Sequence, residues 1–66
     1  MRIIVNQQAQ QFDEGCTIQQ LVTQLDIDPN GLAIAVNQQV IAKRVWPDYP
    51  LQPGDQVAAF QIVTGG

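Results

Sequence analysis

The chain has 66 residues, 45% hydrophobic and 14% charged, with six acidic side chains against three basic ones and a net charge of -3. This is the composition of one folded domain. At this length only about 60% of the unfolded surface can be buried, so nearly every apolar residue must serve the core and few remain to wall a deep pocket. Of the three basic residues only Lys43 and Arg44 are adjacent, too few to neutralise a run of phosphates, which argues against nucleic acid and against an anionic membrane surface.

Met1 to Asn6 is apolar and β-branched and predicts a first strand. Asn6 to Ala9 is polar enough for a hairpin turn, and Gln10 to Phe12 should return as a short second strand. Asp13-Glu14-Gly15 breaks it. Thr17-Ile18-Gln19-Gln20 has the pattern of a capping box, in which the Thr17 hydroxyl accepts from the Gln20 N–H and the Gln20 side chain reaches back. Ile18, Leu21, Val22 and Leu25 come next at helical spacing and form one apolar stripe on a short helix that ends near Asp26. Asp28-Pro29-Asn30-Gly31 is a turn. Leu32 to Val36 predicts an internal strand, Asn37 to Gln39 a turn, and Val40 to Ala42 a short edge strand. Trp46-Pro47 and Tyr49-Pro50 favour extended backbone, so Lys43 to Pro53 is expected to be an ordered connection without helix. After the Pro53-Gly54-Asp55 turn, Gln56 to Val63 is the last strand. The order β-β-α-β-β-β implies an α+β fold with a small mixed sheet packed on one helix.

Residue types narrow the chemistry. The chain has no His and one Cys, so an imidazole-based triad and a His/Cys metal site both lack their parts. A lone Cys16 makes no internal disulfide. No apolar run approaches the length of a spanning helix, and no leader pattern opens the chain. A cytoplasmic location is the expectation. The remaining reactive group is the carboxylate of Gly66, ionised at neutral pH and a poor electrophile until activated. Gly65 and Gly66 present it on a thread without Cβ atoms, which can enter a narrow channel in a partner.

The full length resembles the ubiquitin-like β-grasp, and in particular the bacterial sulfur carriers of thiamine biosynthesis. The resemblance is carried by Ile3-Ile4-Val5-Asn6 and by Glu14-Gly15-x-Thr17-Ile18-x-x-Leu21. It continues through Ala33-Ile34-Ala35-Val36-Asn37-Gln38-Gln39-Val40-Ile41 and Arg44-x-Trp46, and closes with Pro53-Gly54-Asp55-x-Val57-x-x-Phe60-x-Ile62-Val63-Thr64-Gly65-Gly66. It implies one β-grasp domain over residues 1–63 and a flexible tail over 64–66. It further implies a carrier rather than an enzyme. A partner resembling ubiquitin-activating adenylyltransferases would adenylate Gly66 with ATP and magnesium held on that partner, so this chain binds no cofactor of its own. Sulfur from a cysteine desulfurase or related donor would then give a thiocarboxylate, and a thiazole synthase would take the sulfur. A carrier for molybdopterin synthesis or another thiolation pathway shares the same tail, although the length and Asn37-Gln38-Gln39 favour the thiamine branch. A protein modifier and a plain β-grasp interaction module are the readings from other classes.

Alternation in the first strand puts Ile3 and Val5 on one face and Arg2, Ile4 and Asn6 on the other. In the last strand the pattern alone leaves open which face is buried. The β-grasp resemblance puts Val57 and Ala59 under the helix, leaving Ala58, Phe60 and Ile62 beside Ile4 as an exposed partner-binding patch. The competing expectation is that Phe60, a large aromatic, fills the core. Trp46 reads as a core lid over the long connection. Cys16 stands at the start of the helix, where a thiol pKa can be lowered; that suggests a sulfur relay, against the simpler reading of a small residue that fits. Asp13, Glu14, Asp26 and Asp28 cap turns and keep the surface acidic.

Overall fold

Two hairpins supply four of the five strands. In the computed structural model, which describes residues 1–61, β1 (Arg2–Val5) and β2 (Gln8–Gln11) are joined by Asn6 and Gln7 at φ 49° and 71°. The second hairpin, β3 (Leu32–Val36) and β4 (Gln39–Ile41), turns at Asn37 and Gln38 with φ 50° and 74°. Two successive positive φ values identify the two-residue turn whose twist matches that of the flanking strands. The first turn is thus shorter than expected, and β2 runs over Gln8–Gln11 rather than Gln10 to Phe12. The cause is Gln7: glutamine seldom takes positive φ, so Asn6-Gln7 lacks the Asn-Gly mark of such turns. The β4 strand likewise starts one residue early, at Gln39. Phe12 still pairs with the first residue, its N–H donating to the Met1 C=O at 2.8 Å.

The helix α1 (Ile18–Gln24) comes after the hairpin and begins as its sequence requires. The Gln20 N–H donates to Thr17 Oγ1 at 3.2 Å, and the Thr17 N–H donates to Gln20 Oε1 at 2.9 Å. Ile18, Leu21 and Val22 are buried and Leu25 is half-buried. Asp26, at φ 55°, ends the helix.

The connection after β4 departs from expectation, because Lys43–Asp48 winds into a 3-10 helix. The bias of a residue before proline is away from the α region, but not strong enough to prevent a short turn driven by burial. Pro47 has no N–H to place, and the turn tucks Trp46 into the core at 1% exposure, its indole Nε1 donating to the Ile41 C=O at 3.1 Å.

The last strand, β5 (Gln56–Gln61), lies in the middle of a sheet ordered β2-β1-β5-β3-β4. It runs parallel to β1 and antiparallel to β3, so the sheet is mixed. Its expected end at Val63 lies outside the described residues. One face of the sheet packs on α1 and on the connection, with Ile3, Val5, Ile34, Val36 and Val57 meeting Ile18, Leu21, Val22, Trp46 and Leu51 in a single cluster.

Candidate functional site

Among the described residues, the second face of the sheet carries no helix. Alternation along β1 sends Ile3 and Val5 into the core and turns Ile4 outward, half-buried. Along β5, Val57 is buried and Ala59 packs against the core, while Ala58 and Phe60 face the other way. Phe60 is 46% exposed, so the aromatic is on the open face and not in the core. Directly paired residues share a face, and the pairings extend the surface beyond β5. Ala33 stands opposite Phe60, Ala35 opposite Ala58, Val40 opposite Ala35 and Ala9 opposite Ile4.

Val40, 67% exposed, is the large side chain at this face that sequence reasoning failed to include with the patch. A signal for it was present: Gln39-Val40-Ile41 alternates, and Ile41 packing inward forces Val40 outward. Of the residues expected to act at the site, Ile4, Ala58 and Phe60 are brought onto one face, whereas Ile62, Gly65 and Gly66 lie outside the described residues. A shallow depression of about 380 Å³ opens on this side between the two hairpin turns, lined by Ile4, Asn6, Gln7, Gln38, Gln56, Val57 and Ala58. None of these side chains titrates near neutral pH, so the depression offers neither acid nor base.

Asparagines fasten β5 to its surroundings. Asn37 donates its N–H to the Gln56 C=O at 2.8 Å, and its Oδ1 accepts from the Gln56 N–H at 3.1 Å. Asn37 Nδ2 also donates to Asp55 Oδ1 at 3.1 Å, while Asp55 Oδ2 accepts from the Gln52 N–H at 2.8 Å. Further along β5, the Asn6 side chain bonds the Ala59 backbone. At the end of the described strand, Gln61 Nε2 donates to the Asp28 C=O at 3.2 Å.

Cys16 does not occupy the electropositive niche that a low thiol pKa requires. It is buried, its Sγ donates to the Thr17 C=O at 3.4 Å, and burial pushes the thiol above its ordinary range. The nearby Asp13 carboxylate pushes in the same direction, against a smaller opposing pull from the terminal ammonium. The lowering that a helix start can bring to a thiol is therefore not found at Cys16, which weighs against the sulfur relay and for the reading of a small residue that fits: desolvation outweighs any benefit of the helix terminus. Lys43 is engaged in the fold, donating to the Pro29 C=O at 3.0 Å with its Nζ 5.9 Å from the Trp46 ring centroid. Among the described residues no helix is long and apolar enough to cross a membrane.

A mixed five-stranded sheet over one capped helix, with an uncovered face and a Gly-Gly sequence beyond the central strand, is the arrangement whose relatives are informative. The sequence model of the ThiS family matches residues 1–66. The chain belongs to the ThiS family. The sulfur carrier protein ThiS of Escherichia coli is 41% identical over 66 residues, covering 100% of each chain. The sulfur carrier protein ThiS of Thermus thermophilus is 28% identical over 53 residues, covering 80% of this chain and 83% of its own. The crystal structure of a thiamine biosynthesis protein (ThiS) from Geobacter metallireducens superposes with a TM-score of 0.88 over 100% of both chains at 20% identity. That likeness establishes the fold, the ubiquitin-like β-grasp expected for this ThiS family member.

Proposed function

We propose that this protein is a sulfur carrier acting through the carboxyl group of Gly66, which is loaded as a thiocarboxylate and supplies sulfur to the thiazole ring of thiamine. The observation that carries this reading is the full-length match to the ThiS family, together with Gly65-Gly66 beyond the central strand of the sheet. The names of the curated relatives favour the thiamine branch over molybdopterin synthesis or other thiolation pathways.

In this reading the chain is a co-substrate, and the reactive chemistry is shared with partner enzymes in the cytoplasm. A ubiquitin-activating-like adenylyltransferase holds ATP and magnesium. A Gly66 carboxylate oxygen bonds to the α-phosphorus, pyrophosphate leaves, and the carboxylate becomes a mixed anhydride. The terminal sulfur of a persulfide, delivered by a cysteine desulfurase or related donor, attacks the carbonyl carbon, and AMP departs. A thiol then reduces the S–S bond of the resulting acyl disulfide, leaving the thiocarboxylate on Gly66 and the thiol's sulfur in a new disulfide. The thiocarboxylate then passes to a thiazole synthase. The carrier's own contribution is to present the Gly65-Gly66 thread and to dock, with Ile4, Ala58, Phe60 and Ile62 as the partner-binding patch. The exposure of Phe60 and Val40 supports that assignment, since an apolar patch on an uncovered sheet marks a protein contact.

The test is the intact mass of the protein before and after incubation with the adenylating partner, ATP, magnesium and a sulfur source. A gain equal to one oxygen exchanged for sulfur, abolished by deletion of Gly66, is the expected result. No gain with a demonstrably active partner would reduce the chain to a β-grasp binding module.

A further inference from the structure

The two sides of β5 are held differently. On the β3 side, Val57 to Gln61 face Val36 to Leu32 residue for residue. On the β1 side the ladder stops at Val5 and Val57, because the chain turns away at Asn6 and Gln7. A side chain continues the pairing there. Asn6 Oδ1 accepts from the Ala59 N–H at 2.9 Å, and Asn6 Nδ2 donates to the Ala59 C=O at 3.2 Å. A carboxamide carries the donor and acceptor of a peptide group. Asn6 thus supplies the rung that β1 no longer reaches, across 53 residues of sequence. Asparagine also tolerates the left-handed φ of 49° that the turn imposes at this position.

Asn37 is the counterpart at the other end of β5, in the same kind of turn at φ 50°, bonded to Gln56 and Asp55. The two clips differ in the chain that lies beyond them. Asn37 holds the start of the strand, whereas Asn6 holds Ala59, from which residues 60–66 lead to the reacting carboxylate.

We infer that Asn6 is a positioning residue for sulfur loading: its two-bond clip on Ala59 fixes the point from which the tail reaches a partner's active site. This rests on the sulfur-carrier reading. Without the clip, backbone beyond Val57 keeps its β3 pairing but loses its hold on the β1 side, and the cost of restoring that hold falls on the partner. Fixing one backbone residue corresponds to about fivefold to thirtyfold in an equilibrium constant. The loss falls on capture of the tail and not on the chemical step, so it appears in KM and leaves kcat unchanged.

Asn6→Gly removes the clip and keeps the turn, since glycine takes positive φ freely. Asn6→Asp keeps the acceptor for the Ala59 N–H and loses the donor. Pyrophosphate release by the purified adenylating partner, at saturating ATP with carrier varied, should show KM raised about fivefold to thirtyfold for Asn6→Gly. Asn6→Asp should fall between that variant and the wild type, with kcat unchanged in both. Asn37→Gly breaks the matching clip at the start of β5 and should leave KM at the wild-type value while lowering the melting temperature. In the free protein, hydrogen exchange at the Ala59 amide should accelerate in Asn6→Gly. An equal KM rise in Asn37→Gly, a fall in kcat at constant KM for Asn6→Gly, or an unaltered Ala59 exchange rate would overturn the inference. If wild-type carrier is not adenylated at all, the sulfur-carrier reading fails, and the exchange measurement still decides whether the clip holds β5. Should Asn6→Gly not fold, Asn6→Asp carries both measurements.

Discussion

Replacing Phe60 with alanine separates the two places that a large aromatic can occupy in so small a protein. Full burial of a phenylalanine side chain is worth about 1.5–3 kcal/mol, and Phe60 is 46% exposed on a face with no layer above it among the described residues. The truncated ring leaves no closed cavity, so the expected destabilisation is about 1 kcal/mol. For a domain of this size that corresponds to a fall in melting temperature of about 4–8 °C. A core phenylalanine would instead cost about 3–5 kcal/mol, as much as the roughly 3–5 kcal/mol that a core of this size supplies, and the variant would not fold. Thermal unfolding followed by far-UV circular dichroism distinguishes the two outcomes directly. Affinity for the adenylating partner, measured on the same samples, should fall about thirtyfold if Phe60 anchors the contact, the loss typical of a central aromatic at an interface. Loss of folding would refute the placement of Phe60 on the open face. Unchanged affinity in a folded Phe60→Ala variant would refute the patch.

Trp46→Ala provides the opposite case: an enclosed indole bonded to the Ile41 carbonyl should cost about 3–5 kcal/mol, and the variant's dichroism should be that of an unfolded chain at room temperature. Thr17→Ala removes one half of the capping box and should cost about 1 kcal/mol, read as a drop of roughly 4–8 °C in melting temperature with the fold retained. Cys16 sets a pH dependence whose sign comes from its raised thiol pKa. Between the unfolded and folded pKa values the folded state holds more protons, so the contribution is complete below the unfolded value of about 8.5 and is lost as pH rises through the folded one. Melting temperatures of wild type should therefore decline more steeply above that pH than those of Cys16→Ala, and parallel curves would contradict the assignment.

Those parts of the fold that arise from local chemistry were legible in the sequence. Thr17 and Gln20 announce the helix because the capping box is made of side chains three residues apart, and both of its bonds are formed. The apolar spacing of Ile18, Leu21 and Val22 named the buried stripe for the same reason. The two hairpin turns were harder, since Gln7 and Gln38 adopt a backbone that their residue type does not advertise. The 3-10 helix over Lys43–Asp48 was hidden by its two proline pairs, whose local bias toward extended backbone yields to burial of Trp46. At the candidate site, alternation identified Ile4, Ala58 and Phe60 as companions only once the face of β5 was chosen, and that choice depends on where the helix packs. The Asn6 contact with Ala59 was not legible at all: nothing local links residues 53 apart.

The size of the helix explains why the open face exists and why its apolar side chains call for an external reason. Seven helical residues span about 10 Å, while five strands spaced about 4.8 Å apart spread over roughly 19 Å. One such helix, helped by the connection that carries Trp46 and Leu51, covers one face, and among the described residues no second layer lies over the other. Residues on the uncovered side gain little by being apolar, since water remains in contact with them. Alanine at positions 33 and 58 is small enough to be indifferent to that exposure and Ala35 is itself buried, whereas Phe60 and Val40 keep large apolar surface in water at 46% and 67% exposure. That surface contributes little to folding, and on the proposed sulfur-carrier reading it serves docking. The strand bearing Phe60 is also the one that leads to Gly65-Gly66. On the proposed reading, a partner that grips the open face would acquire, by the same contact, a fixed origin for the segment that carries the sulfur.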